Sequence, residues 1–435
     1  MAKPVLSWGR AHSFDHDVHA LPSTGPLDLN RVAEKGAPIL AHGLGRSYGD
    51  VALNDGGHLL LTPRRDDFLT ADWDTGVIRA RSGLSLADLH QVTIPRGWFV
   101  AVTPGSKFVT LGGAVANDVH GKNHHQAGSF GVHVLAVGLV HSERGPLTLS
   151  RDEHPDLFAL TIGGLGLTGF IDWVEIQLQP IASSNMDVEN LAFDSLDGFF
   201  DLSLTSADWP YTVAWVDCFA SGAHLGRGIF TRARFASEGP LNAALRKKGL
   251  KWPMTTPAFM MNRLSIGAFN WLYRNRPGAR FTGEQSYDPF FYPLDAIQDW
   301  NKLYGSRGFY QHQSLIPPDA GRDGVTELLR AIGKSGQGSF LAVLKIHGPE
   351  SSPGVMSFCR EGVSLALDFA NKGPKTLKLL DELDQITADH RGRTYPAKDG
   401  RMSAEFFKAS YPRWVELEAA RDPAFSSSFW RRVSA

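Results

Sequence analysis

The sequence predicts an α+β protein of two domains and a C-terminal segment. The chain has 435 residues, which is longer than one ordinary domain. Between residues 38 and 180, short apolar or alternating runs are separated by glycine turns, as is typical of strands. After residue 185 aromatic residues become dense, and helical periods mix with strands. We therefore predict domains at 1–182 and 183–392, followed by a C-terminal segment at 393–435.

In the first domain, strands are predicted wherever an apolar or alternating run ends at Gly, Asp or Pro. Ser85 is a suitable N-cap and Asp88 lies in the first turn after it, so residues 85–96 are predicted as a helix. The turn at 142–145 predicts a hairpin. The predicted strands are 37–42, 58–62, 77–81, 132–141, 146–149 and 170–178.

In the second domain, we predict strands and helices that form a sheet lined with aromatic residues. Residues 181–185 form the expected linker from the first domain. Strands are predicted at 211–219 and 339–346, and helices at 294–304 and 376–390. The C-terminal segment is expected to begin with a short strand at 393–395 and to continue as helix.

Composition excludes several classes of protein. The 44 basic and 45 acidic residues almost cancel, so no long-range attraction to nucleic acid or an anionic surface is expected. The two cysteines, Cys218 and Cys359, exclude a disulfide framework and a cysteine-based zinc or iron–sulfur site. Without a secretory signal or a run of 18 apolar residues, we expect a cytoplasmic protein with no spanning segment.

The first candidate binding motif is G-L-G-R-S-Y-G-D at residues 43–50, which follows a predicted strand. Clustered glycines let backbone N–H groups converge on one point, as a diphosphate requires. The motif is neither a Walker loop nor a Rossmann fingerprint, because no Gly-Lys-Ser/Thr follows and its third glycine comes one residue late. Taken alone, a tight structural turn is the simpler interpretation.

Three further small-residue segments accompany this loop. T-P-G-S at 103–106 and T-L-G-G-A-V-A-N-D at 110–118 allow a ligand to approach the backbone closely and suggest a second wall of one groove. Residues 163–169 contain a literal G-x-G-x-x-G, from Gly164 to Gly169. A strand rather than a helix is predicted after it, so it does not indicate a Rossmann fold.

Three histidines, His120, His124 and His125, lie in the loop H-G-K-N-H-H-Q-A-G-S-F-G at 120–131 and raise the question of a metal. Gly121 and Asn123 disfavour the helix that a His-x-x-x-His zinc pair needs, and no acidic third ligand lies nearby. We expect no metal and interpret the segment as a polar loop around a cofactor.

Together these motifs resemble the vanillyl-alcohol-oxidase superfamily. The resemblance covers almost the whole chain and implies a two-subdomain PCMH-type FAD-binding domain at 1–182. It also implies an α+β substrate domain with an antiparallel sheet, and a tail that returns to the FAD domain. Later motifs that carry it are Y-T-V-A-W at 211–215, P-L-D at 293–295, Q-H-Q at 311–313, F-L-A-V-L-K at 340–345, L-D-F at 367–369 and Y-P-A-K-D at 395–399.

The resemblance implies FAD as the cofactor. Many members carry a histidine covalently attached to the flavin in the first glycine loop. This sequence has Arg46 and Ser47 there, so we expect non-covalent FAD, with His120 as the residue that would overturn this. The implied cofactor-binding residues are Gly43, Leu44, Gly45, Arg46, Ser47, Tyr48, Gly49, Asp50, Gly105, Thr110, Leu111, Gly112, Gly113, His120, Gly121, Lys122, Asn123, Ile171 and Tyr395.

Within the superfamily, the resemblance is strongest to enzymes that oxidise the 2′-hydroxyl of a polyprenylphosphoryl-β-D-ribose to a ketone. It implies catalytic residues Lys398, Lys345, His120 and Tyr48. Two positions depart from the pattern, since Ala366 replaces a cysteine and Phe291 a tyrosine, and they put the substrate in question. The implied substrate-binding residues are Trp215, Gln311, Gln313, Lys122, Phe291, Ala366 and Asp368.

The chemistry of alcohol oxidation gives the lysines a reason to be buried. Burial lowers a lysine's pKa, so that it can take a proton, while its cation stabilises developing negative charge. Lys398 is the first choice, with a surface lysine as the alternative. Lys345 lies in an apolar run and faces either a buried partner or solvent at a sheet edge. Gln311 and Gln313 share one face of their strand, where they either bind sugar hydroxyls or merely cover the sheet. Trp215 is either a platform for the ligand or a core residue. Asp368 either orients a lysine or ends a strand.

Partners and rival functions follow from the same resemblance. We expect a lipid-linked or free sugar substrate and a separate NAD(P)H-dependent short-chain reductase, with peripheral contact at the inner membrane suggested by the substrate alone. One rival is an alditol or aldonolactone oxidase that uses oxygen. The others are a non-catalytic flavin- or sugar-binding protein and a zinc protein.

Overall fold

The computed structural model describes residues 5–29, 32, 36–244, 250–257 and 260–435. Its first sheet is small and parallel, with β3 in the centre hydrogen-bonded to β1 and to β2. The strand predicted at 37–42 begins two residues later, after Pro38. The three strands are β1 (His16–Ala20), β2 (Ile39–His42) and β3 (Gly57–Leu61).

The second sheet is antiparallel and has the order β4-β5-β9-β7-β8, with β6 also paired to β9. All the predicted strands of this region are present, and the turn at 142–145 joins a hairpin as expected. The strands are β4 (Phe68–Asp72), β5 (Val77–Arg81), β6 (Trp98–Val100), β7 (Val134–His141), β8 (Gly145–Ser150) and β9 (Phe170–Pro180); the helices are α1 (Leu86–Thr93), α2 (Leu111–Ala116), α3 (His124–Ala127) and α4 (Pro155–Thr161).

The predicted helix at 85–96 forms for the expected reason. The Ser85 hydroxyl accepts a hydrogen bond from the backbone N–H of Asp88 and so caps α1. The α-helical part ends at Thr93, and Pro95 lies in a 3-10 turn at 94–96. Proline has no N–H to continue the α-helical pattern, which accounts for the earlier end.

The third sheet has eight strands in the order β14-β10-β12-β11-β17-β18-β16-β19, and every neighbouring pair is antiparallel. A two-residue parallel pair, β13 with β15, stands apart from it. The strands are β10 (Asn185–Phe193), β11 (Tyr211–Val216), β12 (Gly228–Phe235), β13 (Leu250–Lys251), β14 (Phe281–Ser286), β15 (Ile297–Gln298), β16 (Phe309–Ile316), β17 (Ala342–His347), β18 (Gly362–Ala370) and β19 (Arg393–Thr394); the helices are α5 (Leu196–Thr205), α6 (Arg263–Asn275), α7 (Tyr287–Phe291), α8 (Pro318–Ser335) and α9 (Pro374–Asp389).

The two faces of this large sheet have different neighbours. One face packs against α8 and α9, where Leu344, Leu365 and Leu367 join Leu328 and Leu380 in a buried core. Because side chains alternate along a strand, the residues between these leucines point to the opposite face. That second face turns towards the glycine-rich N-terminal region and carries the candidate site.

The predicted helix at 294–304 is wrong. The segment instead consists of a 3-10 turn at 293–296, strand β15 and a 3-10 turn at 300–304. Asp299 breaks the pattern with a φ of 56°, in the left-handed region. Its aromatic residues are buried in a cluster with Phe309, where Trp300 and Tyr304 contact that ring.

The C-terminal segment returns to the N-terminal region, as expected. Asp422 accepts a hydrogen bond from the backbone N–H of Ser142 at 2.7 Å and lies 3.7 Å from His141. Arg432 forms an ion pair with Asp50 at 2.8 Å, which ties the tail to the first glycine loop. Its helices are α10 (Ala404–Ser410), α11 (Trp414–Ala420) and α12 (Ser428–Ser434).

Among the helices of the described residues, none is both long enough and apolar enough to cross a bilayer.

Candidate functional site

A cavity of about 610 Å³ lies between the glycine-rich region and the large sheet, within the size range of small-molecule sites. The four small-residue segments predicted as binding motifs all contribute to its wall: residues 43–48, 103–106, 110–113 and 165–169. Segments more than a hundred residues apart in sequence therefore converge on one space.

The first wall depends on glycines that cannot be replaced without a clash. A Cβ on Gly43 would lie 2.6 Å from Oγ1 of Thr110, and one on Gly112 would lie 2.8 Å from Cβ of Ser82. Gly45 has a φ of 62°, which glycine adopts at little cost. Thr110 is held in turn, because its hydroxyl caps α2 by accepting from the N–H of Gly113 at 3.2 Å. Close packing of Gly43 on the Thr110 side chain thus brings segments 43–48 and 110–113 together.

Gly164 and Gly169 are followed directly by strand β9, as the sequence predicts, and not by a helix. This segment therefore lacks the Rossmann arrangement. Of the residues implied to bind FAD, the cavity is lined by Gly43, Leu44, Gly45, Arg46, Ser47, Tyr48, Gly105, Thr110, Gly112, Gly113, His120, Gly121, Lys122, Ile171 and Tyr395.

Four residues implied to bind the cofactor lie behind this lining and support it. Gly49 packs against the backbone of residues 399–400, and Asp50 pairs with Arg432. Leu111 belongs to the N-terminal core. The amide of Asn123 donates to the backbone carbonyl of residue 101 at 2.7 Å.

The second wall is the open face of the large sheet. Gln313 on β16 lies opposite Ala366 on the neighbouring strand β18, and Ala366 lies opposite Val343 on β17. Val343 in turn lies opposite Trp215 on β11. All four line the cavity, as do Gln311, Lys345 and Ser364 from the adjacent rows of the same face. The sheet face that Gln311 and Gln313 share thus continues across four strands.

Lys345 and His120 form the centre of this wall. Lys345 is buried on a central strand, so the alternative of a solvent-facing edge is wrong. Its amine is hydrogen-bonded to Nδ1 of His120 and donates to the carbonyl of Gly121 at 2.7 Å. Burial lowers the pKa of Lys345 to about 7, and burial with the nearby lysine charge lowers the pKa of His120 well below its usual value.

The hydrogen bonds of His120 use both ring nitrogens. Nε2 is 2.9 Å from the side-chain amide of Gln313, whose other contact is Ser364 at 3.3 Å. A neutral imidazole has one N–H, so one of its two neighbours donates and the other accepts. His120 therefore couples the protonation of Lys345 to the orientation of Gln313.

Lys398 also lines the cavity and lies above the ring of Tyr48, with Nζ 3.9 Å from the ring centroid. Surrounding protein lowers the pKa of Lys398, and the charge of Asp368 opposes this shift. Asp368 itself is fully buried behind the lining, and burial raises its pKa. It accepts hydrogen bonds from Gln311 at 2.5 Å and from the Tyr304 hydroxyl at 3.3 Å.

A third lysine, Lys122, lies among aromatic rings. Its amine donates to the carbonyl of Phe290 and sits 4.3 Å from the centroid of that ring. Burial lowers its pKa to about 7, with the charge of Lys345 as a smaller cause. Phe291 is buried and borders the cavity beside it. The indole of Trp215 donates to the carbonyl of Phe340 at 2.9 Å, which fixes its ring at the rim.

Sequence reasoning missed several lining residues. Ser364 lies two residues before Ala366 on the same strand face, so strand alternation could have identified it. Asn117 borders the cavity and its carbonyl accepts from the Tyr395 hydroxyl at 2.7 Å. Tyr273 and Arg276 had no local signal, since only the path of α6 brings them to the rim.

Two of the three histidines considered as metal ligands have hydrogen-bond partners of their own. His125 is 2.8 Å from the carbonyl of Trp209, whereas His120 contacts Lys345 and Gln313. The third histidine, His124, lies near His347 and Cys359, and the potential ligand atoms of these three side chains are within 4.8 Å of one another. The two imidazoles stack with centroids 4.2 Å apart, like packed aromatic rings. The expectation of no metal stays a prediction.

The walls suit a dinucleotide with a flat ring system. Glycines 43, 105, 112 and 113 leave room for close approach, and a Cβ on Gly105 would meet no protein atom within 4 Å. Small-residue backbone can receive a diphosphate, and the aromatic and amide groups of the sheet suit a ring and a sugar. The residues present therefore fit FAD.

Comparisons with known proteins agree with this geometry. A family model described as an FAD binding domain matches residues 29–148. Decaprenylphosphoryl-beta-D-ribose oxidase of Mycolicibacterium smegmatis is 34% identical over 451 aligned residues, covering 99% of this chain and 97% of that protein. An uncharacterized protein of the mprA 5′ region of Streptomyces coelicolor is 32% identical over 80% of this chain and 100% of its own length.

A more distant relative is cytokinin dehydrogenase 6 of rice, 27% identical over 33% of this chain and 28% of its own. The mycobacterial match extends through both walls of the cavity and the C-terminal segment. The chain therefore belongs to the PCMH-type family of FAD-binding oxidoreductases that includes decaprenylphosphoryl-β-D-ribose oxidase.

Proposed function

We propose that this protein oxidises the 2′-hydroxyl of a polyprenylphosphoryl-β-D-ribose to a 2′-ketone. The general activity, that of an FAD-dependent oxidoreductase, follows from family membership. The sugar substrate is supported by one observation above all. Lys398, Lys345 and Lys122 face the same cavity that the glycine segments border, so groups for anion binding and proton transfer lie beside the cofactor site.

The cationic side chains support an anionic substrate. Lys122, Lys345, Lys398 and Arg46 line the cavity, with Asp295 as a carboxylate among the lining residues. Arginine and lysine are the side chains that bind phosphate oxygens. An excess of positive charge suits a sugar phosphodiester better than a neutral polyol, and it also stabilises negative charge on a reduced flavin.

Proton removal is assigned to Lys398. Its lowered pKa makes the neutral amine available near neutral pH, and a neutral amine can accept the proton of a sugar hydroxyl. FAD supplies the acceptor for the hydride that leaves the carbinol carbon, so the alcohol loses two electrons and two hydrogens in total. Gln311 and Gln313, on one sheet face, are proposed to orient the sugar hydroxyls.

FAD is proposed to be non-covalent. The first glycine loop presents Arg46 and Ser47 to the cavity. Arg46 is held by stacking over Trp8, with its guanidinium carbon 4.1 Å from the ring centroid. Both nitrogens of His120 already have partners in Gln313 and Lys345, which disfavours their use in a bond to the flavin.

The ketone product needs a second enzyme to complete an epimerisation. Restoring the alcohol with inverted configuration requires a hydride donor. The literal G-x-G-x-x-G of this chain leads into strand β9 and so lacks the dinucleotide-binding context. We propose a separate NAD(P)H-dependent short-chain reductase for this step.

The direct test is flavin reduction by purified protein without oxygen. Mixing with polyprenylphosphoryl-β-D-ribose is expected to bleach the yellow absorbance, and Lys398→Met should abolish bleaching while the flavin stays bound. Lys378→Met, an exposed lysine on α9, is the matched control and should behave as the wild type. A flavin that stays oxidised would refute this substrate.

The same assay separates the rivals. Bleaching by free alditols or aldonolactones, with rapid peroxide formation in air, would replace the proposal with a polyol oxidase. A protein that binds flavin but is reduced by none of these sugars would be a binding protein.

A further inference from the structure

Helix α6 exposes an apolar stripe to solvent. Leu264, Trp271 and Leu272 are 84%, 60% and 61% exposed, and their spacing of i, i+7 and i+8 places them on one face. The opposite face is anchored, because Ile266 and Asn270 are buried. An amphipathic helix of a globular protein normally buries its apolar side chains, and here the large ones point outwards.

The stripe continues beyond the start of the helix. Met260 is 49% exposed, and its carbonyl accepts a hydrogen bond from the hydroxyl of Ser265 in the first turn of α6. We define the α6 surface as Met260, Leu264, Trp271 and Leu272. Contiguous exposed apolar groups of this size in a soluble protein mark an interaction site.

Charge around the α6 surface identifies the kind of partner. The described residues between 239 and 283 include four exposed basic side chains, Lys251, Arg263, Arg276 and Arg280, and the sequence has no Asp or Glu there, although the whole chain has a net charge of −1. Exposed Arg263 and Arg276 flank the stripe at the two ends of α6. Local positive charge beside large apolar side chains is complementary to an anionic lipid surface. The even overall balance conceals this local excess.

The α6 surface is continuous with the candidate site. Phe269 and Tyr273 of the same helix line the cavity together with Arg276 directly after it, and Phe269 is also 37% exposed. One side of α6 is therefore a wall of the cavity while another faces outwards. A polyprenyl chain attached to a sugar in the cavity would have a short apolar route along Phe269 to the outside.

We propose that the α6 surface docks on an anionic lipid bilayer, with α6 parallel to the membrane and the cavity mouth at the lipid surface. The docking itself is independent of which sugar is oxidised. The route for the polyprenyl chain rests on the proposed function. Trp271 is the expected anchor, because indole rings favour the bilayer interface.

The test is co-flotation of the purified full-length protein with vesicles made of equal parts phosphatidylcholine and phosphatidylglycerol. We expect the wild type to float and the triple variant Leu264→Ser, Trp271→Ser, Leu272→Ser to bind at least about tenfold more weakly. Wild-type binding should also weaken in high salt and on pure phosphatidylcholine. These side chains are mostly solvent-exposed, so flavin content and thermal midpoint should stay unchanged.

The matched control carries Leu204→Ser and Val415→Ser, which remove exposed apolar groups (78% and 52% exposed) outside α6. It should float like the wild type. A wild type that stays at the bottom of the gradient, or a triple variant that floats as well as the control, would overturn the proposal. If the wild type is a dimer that does not bind vesicles, and the triple variant is a monomer, the surface would be assigned to contact with a second copy instead.

Turnover distinguishes this failure from failure of the proposed function. The triple variant should oxidise a short-chain, detergent-free ribose phosphodiester as the wild type does and lose activity, about tenfold, on polyprenylphosphoryl ribose in vesicles. Equal loss on both substrates would contradict docking. Vesicle binding without oxidation of either substrate would leave docking in place and refute the proposed function.

Discussion

Replacing Asp368 with Asn tests whether its charge controls the protonation of Lys398. Asp368 is fully buried and accepts hydrogen bonds from Gln311 and Tyr304. Asn keeps this shape, because its oxygen can accept from one partner and its amide can donate to the tyrosine oxygen. The variant therefore removes charge with little change of packing.

The direction and size of the effect follow from the surroundings. Burial lowers the pKa of Lys398 and the Asp368 carboxylate raises it, so removing the carboxylate lowers the pKa further. A nearby opposite charge moves a pKa by about 1 to 3 pH units. Burial raises the pKa of Asp368, which leaves it incompletely charged near neutrality, so we expect the lower end, about 1 pH unit.

Because the neutral amine is the form that takes the proton, activity should rise with pH as Lys398 deprotonates. The low-pH limb of kcat/KM should therefore move about 1 pH unit towards acid in Asp368→Asn. One pH unit below the wild-type midpoint, the wild type works at about a tenth of its plateau and the variant at about half.

The assay is anaerobic flavin reduction by substrate across a pH series. Asp118→Asn is the control, since Asp118 is equally buried but is held by Ser352 and Ser357 away from Lys398. The low-pH limb of kcat/KM of Asp118→Asn should coincide with that of the wild type. A limb that stays fixed or moves to higher pH in Asp368→Asn would refute the assignment of Lys398 as the titrating base.

Three further substitutions test the two walls. Gly105→Ala should leave the free energy of unfolding of the flavin-free protein unchanged, because the added Cβ meets no protein atom, but should weaken FAD binding measured by fluorescence titration. Gly43→Ala should also destabilise the protein itself, by about 1–3 kcal/mol, because the Cβ meets Thr110. Arg432→Met should cost about 2–3 kcal/mol in denaturant unfolding, since it leaves the buried carboxylate of Asp50 unpaired while the arginine is 27% exposed.

The contrary results are equally definite. FAD binding to Gly105→Ala that equals the wild type would place the cofactor elsewhere. Arg413→Met, which breaks an ion pair between exposed groups, should change stability by less than about 1 kcal/mol and calibrates the Arg432 result. If both arginine variants behave alike, the tail does not hold the glycine loop through Arg432.

Local features of the sequence predicted much of the site. The glycines at 43–45 and 112–113 mark places where the backbone is closely approached, and this requirement is written into a few consecutive residues. The period of two along 311–313 correctly placed both glutamines on one sheet face. The hairpin at 142–145 and the strand after Gly169 were likewise decided by neighbouring residues.

Features that depend on distant contacts could not be predicted. Lys345 was ambiguous because its strand pairs with β11, more than a hundred residues earlier, and this pairing makes it central. Residues 294–304 have helical spacing, but burial of Trp300 against Phe309 overrides that spacing. The outward face of α6 was invisible for the same reason, because apolar spacing alone does not show which side is covered.

The proposed function requires FAD to be held, without a covalent bond, between the glycine segments and the large sheet. The absorption spectrum of freshly purified protein, recorded before and after acid precipitation, tests this. We predict a yellow protein whose chromophore passes entirely into the supernatant as FAD. A colourless protein that cannot be reconstituted with FAD would contradict the site itself, and a yellow pellet would contradict the non-covalent attachment.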